Sequence, residues 1–254
     1  ILLNDVMKAG ELDMQARNTL LASMTDEVGE LVLVDNYRQN QALSVMELMS
    51  AERLGSFTHF IRTLEQQGLL DRAIEFLPSD AELSDRFAKG LGLTRPELSV
   101  LLSYDKIVIF NQLLDSDVPE DAFLSKELLR YFPSALQERY ASYMQNHRLR
   151  REIIATAVTN SLVNRMGSTF LMRMQEDTGE PPAQIAKAYT IVREAMLARN
   201  YWSEIDALDH KVSEKIQLQA LKGIWNLQRN WTRWLLTRPG QRLNIAELVE
   251  RYQM

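Results

Sequence analysis

The chain has 254 residues, enough for one large domain or two small ones, and its 46% hydrophobic and 25% charged residues are ordinary for a globular protein. A net charge of −5 argues against nucleic acid, and the lack of cysteine excludes disulfides and thiolate metal sites. The three histidines lack zinc-ligand spacing, and no apolar run is long enough to span a bilayer. We therefore expect a cytoplasmic protein with no metal, no nucleic-acid partner and no membrane partner.

Helix signals follow one another along the whole chain. Only 10 glycines and 7 prolines interrupt it, and apolar residues recur with helical spacing. Residue types that cap helices precede several of the apolar stripes, at Asp13, Thr25, Ser79, Thr94 and Asn244. The predicted helices cover residues 14–24, 25–49, 54–67, 79–89, 94–114, 124–131, 134–144, 148–166, 182–199 and 212–236, with one more after residue 244.

Two short β-branched runs, residues 31–34 and 107–110, imitate strands. Both lie inside longer helical patterns without turn signals, so we predict helix for both. The expected fold class is therefore all-α, an irregular multi-helix bundle with no sheet of consequence. Gly90 and Gly92 mark the clearest joint. We expect an N-terminal helical segment, 1–90, and a C-terminal helical bundle, 93–254, which could also form one domain together.

The long helix predicted over 25–49 carries polar residues where its apolar stripe should continue. Asp35 and Gln39 are in line with Leu31 and Ala42, and Arg38 lies beside them. Either the helix passes a wet region here, or this stretch meets a partner through hydrogen bonds, since polar groups are tolerated at interfaces more than in cores. The sequence favours neither reading over the other.

A basic cluster opens the helix predicted over 148–166, with Arg148, Arg150 and Arg151 close together. Guanidinium groups can bind carboxylates, but cations at a helix N-terminus oppose its dipole. Ion pairs with neighbouring helices or a solvated face are the ordinary explanation for such a run. A docking surface for another domain is the functional alternative.

Asn160 and Asn164 share one side of the same helix with Ile153 and Ala157, so both amides should face an apolar neighbourhood. An unpaired buried amide costs ~1–3 kcal/mol, which favours a satisfied polar network between helices over a ligand site. Trp225, Trp231 and Trp234 crowd the helix predicted over 212–236, where core packing is the expected role.

Motifs that carry chemistry are missing from the sequence. It contains no glycine-rich dinucleotide loop, no P-loop and no nucleophile elbow. We therefore predict no catalytic residue, no cofactor-binding residue and no metal ligand.

Long strings of the sequence nevertheless resemble the C-terminal region of the very large NAD-specific glutamate dehydrogenases of bacteria. The matching strings include MTDEVGELVLVDNYRQNQALS, IRTLEQQGLLDRAIEFLPSD, GLTRPELSVLLSYDKIVIFNQLLDSD, LLRYFPSALQERY and HRLRREIIATAVTNSLVNRMGSTF. They span most of residues 1–200, and the last fifty residues are less distinctive. Because the chain begins with Ile1 rather than methionine, we expect it to be a segment of a longer polypeptide.

The resemblance implies that the parent enzyme converts L-glutamate, NAD and water to 2-oxoglutarate, ammonia and NADH. It also implies that the catalytic residues and the NAD site lie upstream, so NAD is not expected to bind this segment. The expected partners are the upstream catalytic domain, against which segment 1–90 could pack, and further copies in a homo-oligomer. The candidate interdomain residues are Asp35, Arg38, Gln39, Arg148, Arg150 and Arg151. The alternative is an independent helical scaffold or a small-ligand-binding module.

Overall fold

The computed structural model describes residues 1–240 and 242–253. This part of the chain contains α-helices and two 3₁₀ turns, at Val118–Glu120 and Ala122–Leu124, and no strand, which confirms the all-α prediction. The helices are α1 (Leu2–Lys8), α2 (Met14–Ser23), α3 (Thr25–Leu48), α4 (Leu54–Gln66), α5 (Asp80–Ala88), α6 (Arg95–Leu114), α7 (Ser125–Tyr131), α8 (Ser134–Gln137), α9 (Ala141–Gln145), α10 (Arg150–Met166), α11 (Phe170–Thr178), α12 (Pro182–Ala195), α13 (Ala198–Asp206), α14 (Glu214–Leu236) and α15 (Ile245–Tyr252).

Local hydrogen bonds explain why several helices begin where the sequence predicts. The Asp13 carboxylate accepts from the Ala16 N–H at 2.7 Å, and Ser79 and Glu82 form a reciprocal capping box. Glu97 accepts from the Thr94 N–H at 2.7 Å at the start of α6. The predicted cap at Thr25 is wrong: Thr25 is already helical, and its hydroxyl donates back to the Leu21 carbonyl. Both strand-like runs are helical, in α3 and α6.

The bundle is organised around α10 and α12. α10 packs against α3, α6 and α7, while α12 packs against α11, α13, α14 and α15. Every residue of α12 from Ile185 to Arg193 is buried, so this helix is enclosed on all sides. None of the helices in the described ranges is long and apolar enough to cross a membrane.

Residues on both sides of the predicted joint contribute to one continuous apolar cluster. The Ser50 hydroxyl bridges the joint by accepting from the Leu93 N–H at 2.6 Å. A Cβ at Gly92 would lie 2.7 Å from the Ala51 nitrogen, so glycine permits this close approach. The structure shows that residues 1–90 and 93–254 contact each other, and their division into two domains stays a prediction.

The tryptophans do not share one environment. Trp225 is buried, and its indole N–H donates to the Met166 carbonyl oxygen at 2.7 Å. Trp234 is 43% exposed and lies under the Arg238 guanidinium, with 4.0 Å between the guanidinium carbon and the ring centre. The expectation of core packing is therefore wrong for Trp234, because helical spacing places it on the outer side of α14.

Candidate functional site

The polar stretch of α3 finds partners within the chain. The Gln39 amide donates to Asp35 Oδ2 at 2.7 Å, and Asn164 on α10 donates to Asp35 Oδ1 at 3.4 Å. Asp35 and Gln39 are half-buried, whereas Arg38 is exposed. The polar stretch of α3 therefore makes a hydrogen-bonded contact with α10, and Arg38 is left exposed to solvent.

A neighbouring contact extends this polar stretch and was not found from the sequence. Arg165 donates to the Gln41 side chain at 2.6 Å, and Gln41 donates to Asp206 at 2.7 Å. The Arg165 guanidinium also lies 4.5 Å from the centre of the Trp202 ring, and burial lowers its pKa. The contact joins α3, α10 and α13, which no short sequence pattern indicates.

The basic cluster at the start of α10 is largely occupied by intramolecular ion pairs. Arg150 and Arg151 both bind Glu120, with nitrogen–oxygen distances of 2.8 and 2.5 Å. Hydrogen bonds from these two guanidinium groups lower the pKa of Glu120. Arg151 also donates to the Leu114 carbonyl at 2.6 Å, at the end of α6, while Arg148 is exposed.

Asn160 and Asn164 do not share a hydrogen bond. Asn164 is buried and bonds only weakly to Asp35, and its own Oδ1 has no partner among the described residues. Asn160 is half-buried. Asn164 thus reaches α3 through Asp35, and a polar network that includes Asn160 stays a prediction.

The two candidate interface groups lie at opposite ends of α10. Asp35 contacts Asn164 near the C-terminal end, whereas Arg150 and Arg151 stand at the N-terminal end. Thirteen residues of helix separate these positions, which corresponds to ~20 Å. The structure does not bring them together as one site.

The most buried charged group is Arg193 on α12, which sequence reasoning missed. Its guanidinium is 1% exposed and donates to Glu127 at 2.9 Å, to Ser161 at 2.6 Å and to Glu194 at 2.8 Å. Burial alone would raise the pKa of Glu194, but Arg193, Arg199 and Lys126 outweigh it and lower this pKa to about 2. The cluster connects α7, α10, α12 and the start of α13.

Asp105 is a buried acid without a cation. It is 3% exposed, lies on the same face of α6 as Leu101 and Ile109, and its Oδ2 has no hydrogen-bond partner in the described residues. Burial raises its pKa well above the usual value.

No group of three or more histidine, aspartate or glutamate residues in residues 1–240 and 242–253 is arranged to hold a metal ion.

Several apolar side chains in the first half of α3 are exposed to solvent. Leu31, Val32, Leu33 and Val34 are 43%, 55%, 68% and 42% exposed, and Val28 one turn earlier is 45% exposed. None of residues 25–41 is buried, whereas Ala42, Val45 and Met46 in the same helix are. We call Val28 and residues 31–34 the apolar run of α3. Contiguous exposed apolar surface of this kind marks contact sites.

Comparison with known proteins places the whole chain in one context. The family described as glutamate dehydrogenase, C-terminal, matches residues 90–254, and that described as bacterial NAD-glutamate dehydrogenase, catalytic domain, matches residues 1–46. The chain is 48% identical over 236 residues to the NAD-specific glutamate dehydrogenase of Halomonas elongata. It is 44% identical over 252 residues to that of Pseudomonas aeruginosa and 33% identical over 254 residues to that of Mycobacterium tuberculosis.

These alignments cover 93–99% of this chain but only 15–16% of each relative, so the chain spans a small part of the length of the proteins it matches. The resemblance predicted from the sequence strings is confirmed. The catalytic-domain match ends at Met46, inside α3, and the C-terminal match begins at Gly90, next to the predicted joint. With its helical fold and these matches, the chain belongs to the family of C-terminal regions of the large bacterial NAD-specific glutamate dehydrogenases.

Proposed function

We propose that this chain is the helical, non-catalytic C-terminal part of an NAD-dependent glutamate dehydrogenase. The parent polypeptide would convert L-glutamate, NAD and water to 2-oxoglutarate, ammonia and NADH in the cytoplasm, and would assemble as a homo-oligomer. The observation that carries the proposal is the pair of family matches, which together take in both ends of the chain while the relatives extend far beyond it. The described helices contain no strand–glycine–helix unit for a dinucleotide, which supports an NAD site elsewhere in the polypeptide.

The role of this part would be to support the catalytic domain, either by packing against it or by building the oligomer. The buried clusters around Arg193 and Arg165 are satisfied inside the bundle, so they serve its own cohesion. Asp35, Gln39, Arg150 and Arg151 bind each other or neighbouring helices. Of the six candidate interface residues, Arg38 and Arg148 are the two that are exposed.

Two assays test this function. The full-length polypeptide should reduce NAD in the presence of L-glutamate, and the 254-residue chain, verified as helical by circular dichroism, should neither turn over glutamate nor bind NAD in calorimetry. Turnover by the 254-residue chain would overturn the assignment of the chemistry to another part. A full-length polypeptide with no glutamate-dependent NAD reduction would overturn the family function itself.

The interface role has its own test. Arg38→Glu and Arg148→Glu in the full-length polypeptide should weaken activity or shift its mass in light scattering. Lys89→Glu is the matched control, since Lys89 is 61% exposed and its ion pair among the described residues is with Asp85, one turn away. Unchanged activity and mass in both arginine variants would remove these positions from the interface.

A further inference from the structure

α3 is one unbroken helix whose two ends have different surroundings. Its 24 residues extend for ~36 Å. The last two turns are fixed in the bundle, where Ala42, Val45 and Met46 are buried against neighbouring helices. No residue from 25 to 41 is buried, and the hydrogen bonds that tie this part to the bundle, including those from Ser134 to Glu27 and from Asn164 to Asp35, leave its apolar side chains uncovered.

One turn within this part, residues 31–34, has a composition that does not suit exposure to water. Successive residues in a helix point about 100° apart, so the four consecutive apolar residues 31–34 cover its whole circumference. A helix that is apolar all round is normally enclosed by protein.

The family matches indicate what encloses the helix. The catalytic-domain match covers residues 1–46 and therefore includes the whole apolar run of α3, while the C-terminal match begins only at residue 90. The relatives are several times longer than this chain, which provides the rest of that domain. The acidic side chains of Asp26, Glu27 and Glu30, next to the apolar residues of the run, oppose binding to an anionic membrane surface.

We propose that α3 is shared by two domains of one polypeptide. Val28 and residues 31–34 pack inside the catalytic domain, and residues 42–48 pack inside the helical bundle; this inference rests on the proposed function. Asp35 and Gln39 mark the boundary, where the helix crosses between the two cores with its polar groups satisfied by each other and by Asn164. A continuous helix anchored at both ends fixes the orientation of one domain against the other.

Thiol labelling of the full-length polypeptide tests the shared helix. The chain has no cysteine, so a thiol introduced by Leu33→Cys can be followed in the tryptic peptide 18–38 by mass spectrometry. Ile74→Cys is the matched control, since Ile74 is 70% exposed against 68% for Leu33, and its peptide is 73–86. Each rate of alkylation is compared with the rate for the same peptide in urea.

The expected result is at least roughly tenfold slower alkylation at position 33 than in urea, with position 74 reacting close to its rate in urea. Equal reactivity at both positions would overturn the shared helix. Protection at position 33 that disappears on dilution to the monomer would also overturn it, since the occupant would then be a second copy. Glutamate-dependent NAD reduction, measured on the same sample, separates this failure from a failure of the proposed function.

Discussion

Replacement of Arg193 by methionine should destabilise the chain more than any surface change. The guanidinium is 1% exposed and donates to Glu127, Ser161 and Glu194, whose side chains come from three different helices. Methionine keeps much of the volume but leaves Glu127, itself 9% exposed, with fewer cations. Breaking a buried ion pair by removing one partner costs about 3–5 kcal/mol, a large part of the 5–15 kcal/mol typical of a whole domain.

The same variant should change how stability depends on pH. The pKa of Glu194 is about 2 in the folded chain against an ordinary 4.5, so its pairing contributes stability above pH 4.5 that is lost as the pH falls towards 2. That difference in pKa corresponds to about 3 kcal/mol, which overlaps with the figure for Arg193 and does not add to it. Arg193→Met should therefore show a weaker loss of stability between pH 5 and pH 3.

Urea unfolding followed by far-UV circular dichroism, at pH 7 and at steps down to pH 3, measures both effects. Arg251→Met is the matched control, because Arg251 is 53% exposed and pairs with Glu247 one turn away, so it should change stability by about 0.5 kcal/mol or less. A loss below about 1 kcal/mol for Arg193→Met at pH 7, or an acid dependence equal to that of the unchanged chain, would refute the reasoning.

Four further substitutions should change the free energy of unfolding by different amounts in the same assay. Asp105→Asn should stabilise the chain at pH 7, with a gain that shrinks towards pH 4, because the raised pKa of Asp105 penalises the fold increasingly above the unfolded value of 3.8; a constant or opposite difference would contradict this. Gly92→Ala should lower the free energy of unfolding by about 1–3 kcal/mol, since its Cβ would meet the Ala51 nitrogen. Gly223→Ala, at a helical position with open space around it, should instead raise this free energy by about 0.5–1 kcal/mol. Equal effects of the two substitutions would show that Gly92 is not crowded. Trp225→Phe should lose about 1–2 kcal/mol, because the indole N–H no longer satisfies the Met166 carbonyl, and an unchanged midpoint would argue against that bond.

The helical class and most helix starts can be predicted from the amino-acid sequence alone. Capping residues such as Asp13 and Ser79 act within three residues of themselves, and the helical period of apolar residues is a local property. The match to a family likewise depended on long strings and needed no coordinates. Local signals were insufficient at Thr25, where α2 passes almost directly into α3 and the cap position falls on Met24, which makes no side-chain cap hydrogen bond.

The contacts between distant side chains, and the exposure of some apolar residues, follow from how the helices pack in three dimensions. Arg193 binds Glu127, which is 66 residues away along the chain, and Asp35 meets Asn164, which is 129 residues away. Periodicity identifies an apolar face but does not identify what covers it, so residues 31–34 look like core in the sequence and are exposed in this chain. The physical reason is that burial and charge pairing depend on the packing of helices distant in sequence, whereas helix formation depends on neighbours within one or two turns.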